Sequence, residues 1–122
     1  MSQKLGCIRL TGIECWSRIG VSPEERAHPQ RLVVNLDLSL DLKAAGRNDR
    51  LDLTLDYAQV VESLRDQASQ GEFHLLEALA SRLMQSLMEI PRVQAVAFEI
   101  EKFPADLTGQ LQKVAVRLDQ SR

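Results

Sequence analysis

The sequence predicts an α+β fold: a four-stranded antiparallel sheet carrying two helices on one face, in the order ββααββ. Three observations predict it. Residues 31–43 alternate strictly, with Leu32, Val34, Leu36, Leu38, Leu40 and Leu42 facing one way and Val33, Asn35, Asp37, Ser39, Asp41 and Lys43 the other. That is a long strand with one dry face and one wet face. Two helical stripes then follow one another, Tyr57, Val60, Val61, Leu64 and Ala68, then Leu75, Leu76, Leu79, Leu83 and Leu87. Shorter alternations flank the whole, so the helices lie grouped between two pairs of strands.

Each element has its own warrant. In the first segment Ile8 and Leu10 alternate with polar partners, and Gly12 shifts the phase so that Ile13 and Cys15 continue it. A strand with a bulge near Gly12 is expected. Trp16, the single tryptophan, is expected to pack. Residues 20–30 hold Gly20, Pro23, Pro29 and clustered charges, the marks of an irregular loop. The alternative is a short helical turn opened by Ser22 with Pro23 at its first position. Glu24 and Glu25 are solvated by default. After the long strand, Ala45-Gly46-Arg47-Asn48-Asp49 reads as a terminating loop, and residues 51–55 as a brief apolar and polar alternation. Asp56 is a good N-cap for the first long helix, which ends at Ser69-Gln70-Gly71. Ile90-Pro91-Arg92 stops the second. Val96, Phe98 and Ile100 form a third strand, and Val114, Val116 and Leu118 a fourth.

With 122 residues, 44% of them hydrophobic and 26% charged, the chain is expected to be one globular domain over residues 1–122. A net charge of −2 without a run of like charges argues against a nucleic-acid or membrane surface. Met-Ser-Gln-Lys runs straight into a strand pattern with no secretory h-region, and no apolar stretch approaches a membrane span. Cys7 and Cys15 share one extended segment, about 26 Å apart and beyond disulfide reach. Free thiols and a cytoplasmic setting follow. No Cys-x-x-Cys or His-x-x-x-His pair argues for a metal, and none is expected.

A lone sheet of this kind has two open edges and a polar face that its own chain does not cover. Edge-to-edge self-association would close the sheet around a water-filled lumen. Phe73-His74-Leu75-Leu76-Glu77 opens the second helix and puts Glu77 in its first turn. There a carboxylate meets the positive end of the helix dipole, which stabilises the helix start. The other reading is an ionised group in a half-apolar wall, suited to a heterocycle's N–C–NH2 donor edge.

Four stretches taken together resemble the dihydroneopterin aldolase family of tunnelling-fold pterin enzymes. They are Ile19-Gly20-Val21 with Glu25 and Gln30; Ala44-Ala45-Gly46-Arg47-Asn48-Asp49 leading to Leu55-Asp56-Tyr57-Ala58-Gln59-Val60; Phe73-His74-Leu75-Leu76-Glu77; and Ile100-Glu101-Lys102 with Pro104. The resemblance implies cleavage of 7,8-dihydroneopterin into 6-hydroxymethyl-7,8-dihydropterin and glycolaldehyde, a step toward folate. It implies a ring-shaped barrel, a homo-tetramer or homo-octamer with active sites between subunits, and no cofactor.

Residue by residue, the resemblance implies that Glu77 anchors the pterin through its 2-amino group and ring N–H, with Leu76 supplying backbone contacts. Tyr57 would cover the pterin from the adjacent subunit and take part in proton transfer. Lys102 would act at the reacting side chain, with Glu25 near the same end. Val21 and Leu55 would give backbone contacts from the neighbour's side. Each has a plainer alternative: Tyr57 as a core residue, Lys102 as an edge-protecting lysine, Glu25 as a solvated carboxylate. Ile19 stands where many relatives have His, Trp16-Ser17-Arg18 replaces an aromatic-glycine pattern, and residues 103–110 alter a loop beside the reacting end. A 2′-epimerase of dihydroneopterin or its triphosphate would use the same residues. A non-catalytic pterin-binding protein of the same fold is the remaining reading.

Overall fold

The structure, a computed structural model, describes residues 6–122; residues 1–5, read above as running into the first strand, lie outside the described residues. In chain order the elements are β1 (Gly6–Ile19), α1 (Pro23–Arg26), β2 (Gln30–Leu40), α2 (Lys43–Asn48), a 3-10 turn (Leu51–Leu53), α3 (Tyr57–Gln70), β3 (Glu72–Phe73), α4 (Leu76–Met88), β4 (Ala95–Lys102), a second 3-10 turn (Ala105–Leu107) and β5 (Val114–Ser121). The sheet order is β3-β1-β2-β4-β5. The four long strands pair antiparallel, as expected.

The four-stranded, purely antiparallel sheet needs correction. Glu72 and Phe73 form a fifth strand, parallel to the end of β1 through Arg18 opposite Glu72 and Ile19 opposite Phe73. A two-residue strand has no periodicity to read, and its pairing depends on a partner more than fifty positions away. Two further short helices join the pair predicted. The Ala45–Asp49 stretch belongs to α2, which closes on Asp49 in a left-handed conformation at φ 53. The alternation at 51–55 is a 3-10 turn rather than a strand.

β2 carries the pattern that organises the sheet. Leu32, Val34, Leu36, Leu38 and Leu40 are buried, and the residues between them keep partial exposure. The strand stops at Leu40, short of the predicted Lys43, because the Asp41 carboxylate accepts the backbone N–H of Lys43 at 2.9 Å and turns the chain into α2. In β1 the register slips between Leu10 and Ile13, with Gly12 at φ 74. The amide freed by this bulge donates to Asn35 Oδ1 at 2.8 Å.

Helices α3 and α4 cover one face, α3 over β1 and α4 over β4 and β5. Val60, Leu64 and Ala68 of α3 join Leu76, Leu79, Ala80, Leu83, Met84 and Leu87 of α4 in one core with the inward residues of the sheet. Three residues expected to pack are not in it: Leu75, Trp16 and Tyr57. Leu75 is 51% exposed and serves as the N-cap of α4, and Trp16 is 44% exposed, its indole N–H donating to Glu14 Oε1. The opposite face of the sheet carries polar pairs, among them Arg9 with Asp37 and Asn35 with Glu99 and Glu101.

Candidate active site

Lys102 is the last residue of β4. Strand alternation turns Ile100 and Lys102 toward the helical layer and Glu101 toward the other face. The Lys102 side chain is mostly enclosed, and its Nζ donates to Glu25 Oε2 at 3.1 Å. Glu101, itself buried, is engaged on the far face by Asn35 and Lys113.

Glu25 belongs to α1, and a capping box builds that helix. The Glu25 backbone N–H donates to Ser22 Oγ at 3.3 Å, while Glu25 Oε1 accepts from the Ser22 backbone N–H at 3.4 Å and hydroxyl at 3.2 Å. The Glu25 side chain lies against Gly20: a Cβ added there would fall 2.7 Å from the Glu25 carboxyl carbon. Residues 20–30, read chiefly as an irregular loop, are therefore tightly tied. Arg26 Nη1 donates to the carbonyls of Gly20 and Val21, each at 2.9 Å, and Arg26 Nε meets Glu72 at 2.9 Å. Gln30 Nε2 donates to the carbonyls of Ile19 and Glu25. The default of a solvated Glu25 does not hold. The hydrogen bond from Lys102, and then that from the Ser22 backbone, hold its carboxyl below the usual range against a smaller opposing effect of burial.

The same end of the molecule carries the start of α4. Gly20 N–H donates to the Phe73 carbonyl at 3.0 Å, and Glu77 follows four residues later in the first turn of the helix. Leu75 gives this helix no side-chain cap, so its first N–H groups and the exposed Glu77 carboxylate look out together. Leu76 beside it is buried.

Tyr57 and Leu55 lie at the other end. Asp56 caps α3 by accepting the Ala58 N–H at 3.0 Å, and Tyr57 opens the helix at 61% exposure, so it is not a core residue. Leu55 is buried beside Pro91 and Arg92 beyond the C-terminal end of α4, and Arg92 donates to the Asp52 carbonyl at 2.8 Å. The length of α4 separates this end from Glu77, about 20 Å at 1.5 Å per residue. One chain therefore brings Glu25, Lys102 and the Glu77 turn to one end and holds Leu55 and Tyr57 at the other. Val21 goes with the first group through its carbonyl bond to Arg26, and not with Leu55 as expected. Ser22 was not singled out as a site residue, though Ser22 and Glu25 at three-residue spacing spell a capping box in the sequence.

A family model, FolB: Dihydroneopterin aldolase, matches residues 8–119. The chain belongs to the dihydroneopterin aldolase family. A dihydroneopterin aldolase from Methylorubrum extorquens is 35% identical over 108 residues, 88% of this chain and 83% of that protein. The crystal structure of a FolB protein from Vibrio cholerae O1 superposes with a TM-score of 0.90 at 28% identity, covering 98% of this chain and all of the other. A dihydroneopterin aldolase from Burkholderia thailendensis, solved bound to guanine, gives 0.79 at 27% identity over 97% of this chain and 92% of that one. The α+β architecture is thus that of dihydroneopterin aldolases. Among the described residues no helix is long and apolar enough to cross a membrane.

Proposed function

We infer that the chain is a dihydroneopterin aldolase, a carbon–carbon lyase that cuts 7,8-dihydroneopterin into 6-hydroxymethyl-7,8-dihydropterin and glycolaldehyde. The observation that carries this reading is the 3.1 Å contact of Lys102 with Glu25, at the end of the molecule where α4 begins with Glu77. This gives a charged pair suited to proton traffic and a carboxylate suited to a donor edge, on one short loop-and-strand framework. Guanine, bound by the Burkholderia relative, presents the same 2-amino and ring N–H edge as a pterin. Glu77 accepts from that edge, and the backbone at Leu76 adds ring contacts.

The chemistry needs little else. As the 2′-hydroxyl loses its proton, the C1′–C2′ bond breaks, and its electrons pass into the conjugated C6=N5 bond of the dihydropterin. Glycolaldehyde leaves, and C1′ then takes a proton to give the hydroxymethyl product. The ring is its own electron sink, so the protein's part is to hold it and to move protons. Lys102, held by Glu25, addresses the side-chain hydroxyls, and Tyr57 from a neighbouring chain covers the ring and exchanges the proton. Val21 supports the Glu25 end of the pocket, and Leu55 backs Tyr57.

Because Tyr57 and Lys102 occupy opposite ends of one chain, a pocket using both needs two subunits. We therefore assign this single 122-residue domain to a homo-tetrameric ring, alone or stacked as an octamer, working in the cytoplasm toward folate. Incubation of the purified protein with 7,8-dihydroneopterin, with glycolaldehyde and the 2′-epimer quantified, tests the reading. Glycolaldehyde is expected. Epimer alone would make the protein an epimerase, and neither product would leave it a pterin-binding protein.

A further inference from the structure

We propose that Ser22 is a positioning residue for the reaction: its reciprocal capping box with Glu25 aims the Glu25 carboxylate at Lys102 and so sets where the Lys102 ammonium points. Three independent features of the geometry bear on this. The two carboxylate oxygens are divided between partners, Oε1 accepting from the Ser22 hydroxyl and backbone N–H, Oε2 accepting from Lys102. The Glu25 side chain is also confined from behind by Gly20, where no side-chain carbon could fit without meeting its carboxyl group. Pro23 at the first helical position presets the turn that puts Ser22 and Glu25 in register.

Among the other charged groups nearby, Arg18 of β1 donates to the carbonyls of Arg26 and Ala27, and the rest are committed elsewhere or stand apart. Arg26 is spent on Glu72 and on the carbonyls of Gly20 and Val21. Arg31 pairs with Glu14 and lies over the Phe103 ring, and Glu101 binds Lys113 on the far face of β4. His74 and Glu77 lie at the start of α4, and Glu24 is exposed on α1. Without the hydroxyl, Glu25 keeps its charge but loses a bond to the oxygen that orients it. The carboxylate then swings among rotamers, and Lys102 loses a fixed partner. Ser22 reaches the substrate only through these two residues.

The inference rests on the aldolase reading for its kinetic consequence, but its test does not depend on turnover alone. In Ser22→Ala, kcat for dihydroneopterin cleavage is expected to fall about 5- to 20-fold with KM within twofold, an orientation effect rather than a binding one. The acid limb of the kcat profile should move up only slightly, because the Ser22 hydroxyl contributes least among the bonds that lower the Glu25 carboxyl and the Ser22 backbone N–H stays in place. Ser22→Thr, which keeps the hydroxyl, should restore both. Titration of the Glu25 side-chain carboxyl by 13C NMR provides the readout that needs no activity. It should titrate slightly higher in Ser22→Ala and at the wild-type position in Ser22→Thr. A wild-type protein that cleaves nothing while Glu25 still shifts this way would sink the aldolase reading and leave the positioning role standing. An unshifted Glu25 titration in a folded Ser22→Ala overturns the role, whatever the enzyme does. So does a Thr variant that behaves like Ala.

Discussion

Glu25 joins two functions in one side chain, closing a helix turn and holding a lysine, and its titration should reveal both. Its folded carboxyl lies below the usual range, so the pair stabilises fully above the ordinary value and loses that contribution as pH falls through the lowered one. Glu25→Gln should therefore lower the urea midpoint near pH 7, with wild type and variant converging once the pH has fallen below the lowered value of the folded carboxyl. Lys102→Ala should reduce kcat by about 100-fold or more, the scale of a lost proton-transfer group. Glu77→Ala should raise the dissociation constant for a pterin about 10- to 100-fold with a smaller effect on kcat, as for a charged hydrogen bond removed from the bound ring. Equal pterin affinity in the two proteins would place the pocket elsewhere. Burial pushes the Cys15 thiol up to about 11, so it should resist alkylation at neutral pH until the chain unfolds. The resemblance put Lys102 and Glu25 near one end, but the bond between them was not readable from the residues themselves. Nothing in residues 20–30 announces that Glu25 and Lys102, 77 positions apart, will touch.

At the level of elements, legibility followed periodicity. β2 and the buried stripes of α3 and α4 have enough repeats to declare themselves, and the structure departs from them only at their ends. Leu75 fell outside its stripe because the helix begins one residue later, and β2 stopped early because Asp41 turned the chain. β3 was invisible for the opposite reason, since two residues owe their extended form to Gly20 and β1 rather than to any local pattern. The C-terminal end of α4 shows how a distant side chain completes an element. Arg122 donates to the carbonyl of Met88, in the last turn of α4, and to those of Ile90 and Val93 in the segment that leads to β4. Arg122→Ala should cost about 1 kcal/mol in urea unfolding, the net value of such bonds. Leu79→Ala, in the fully buried stripe, should cost about 3 kcal/mol. A reversed order would mean that the core between α4 and the sheet is looser than its burial indicates.

For the whole molecule, the separation of the two ends gives the sharpest test of assembly. Tyr57→Ala and Lys102→Ala proteins should each be nearly inactive, yet subunits unfolded and refolded together should regain activity. In a ring with random equal mixing, about a quarter of the interfaces pair an intact Tyr57 with an intact Lys102. Absence of any recovery would mean that both groups serve the same chain's pocket. The edges of the sheet suit such closure, because among the described residues β5 bonds only to β4 and β1 is paired on its outer side only by the two residues of β3. Beside that outer edge stands Trp16, 44% exposed and the chain's one indole. Its fluorescence is therefore an optical gauge free of interference from other tryptophans. Closing a neighbour over the edge should shift the emission to shorter wavelengths, and dilution should reverse the shift in step with light scattering.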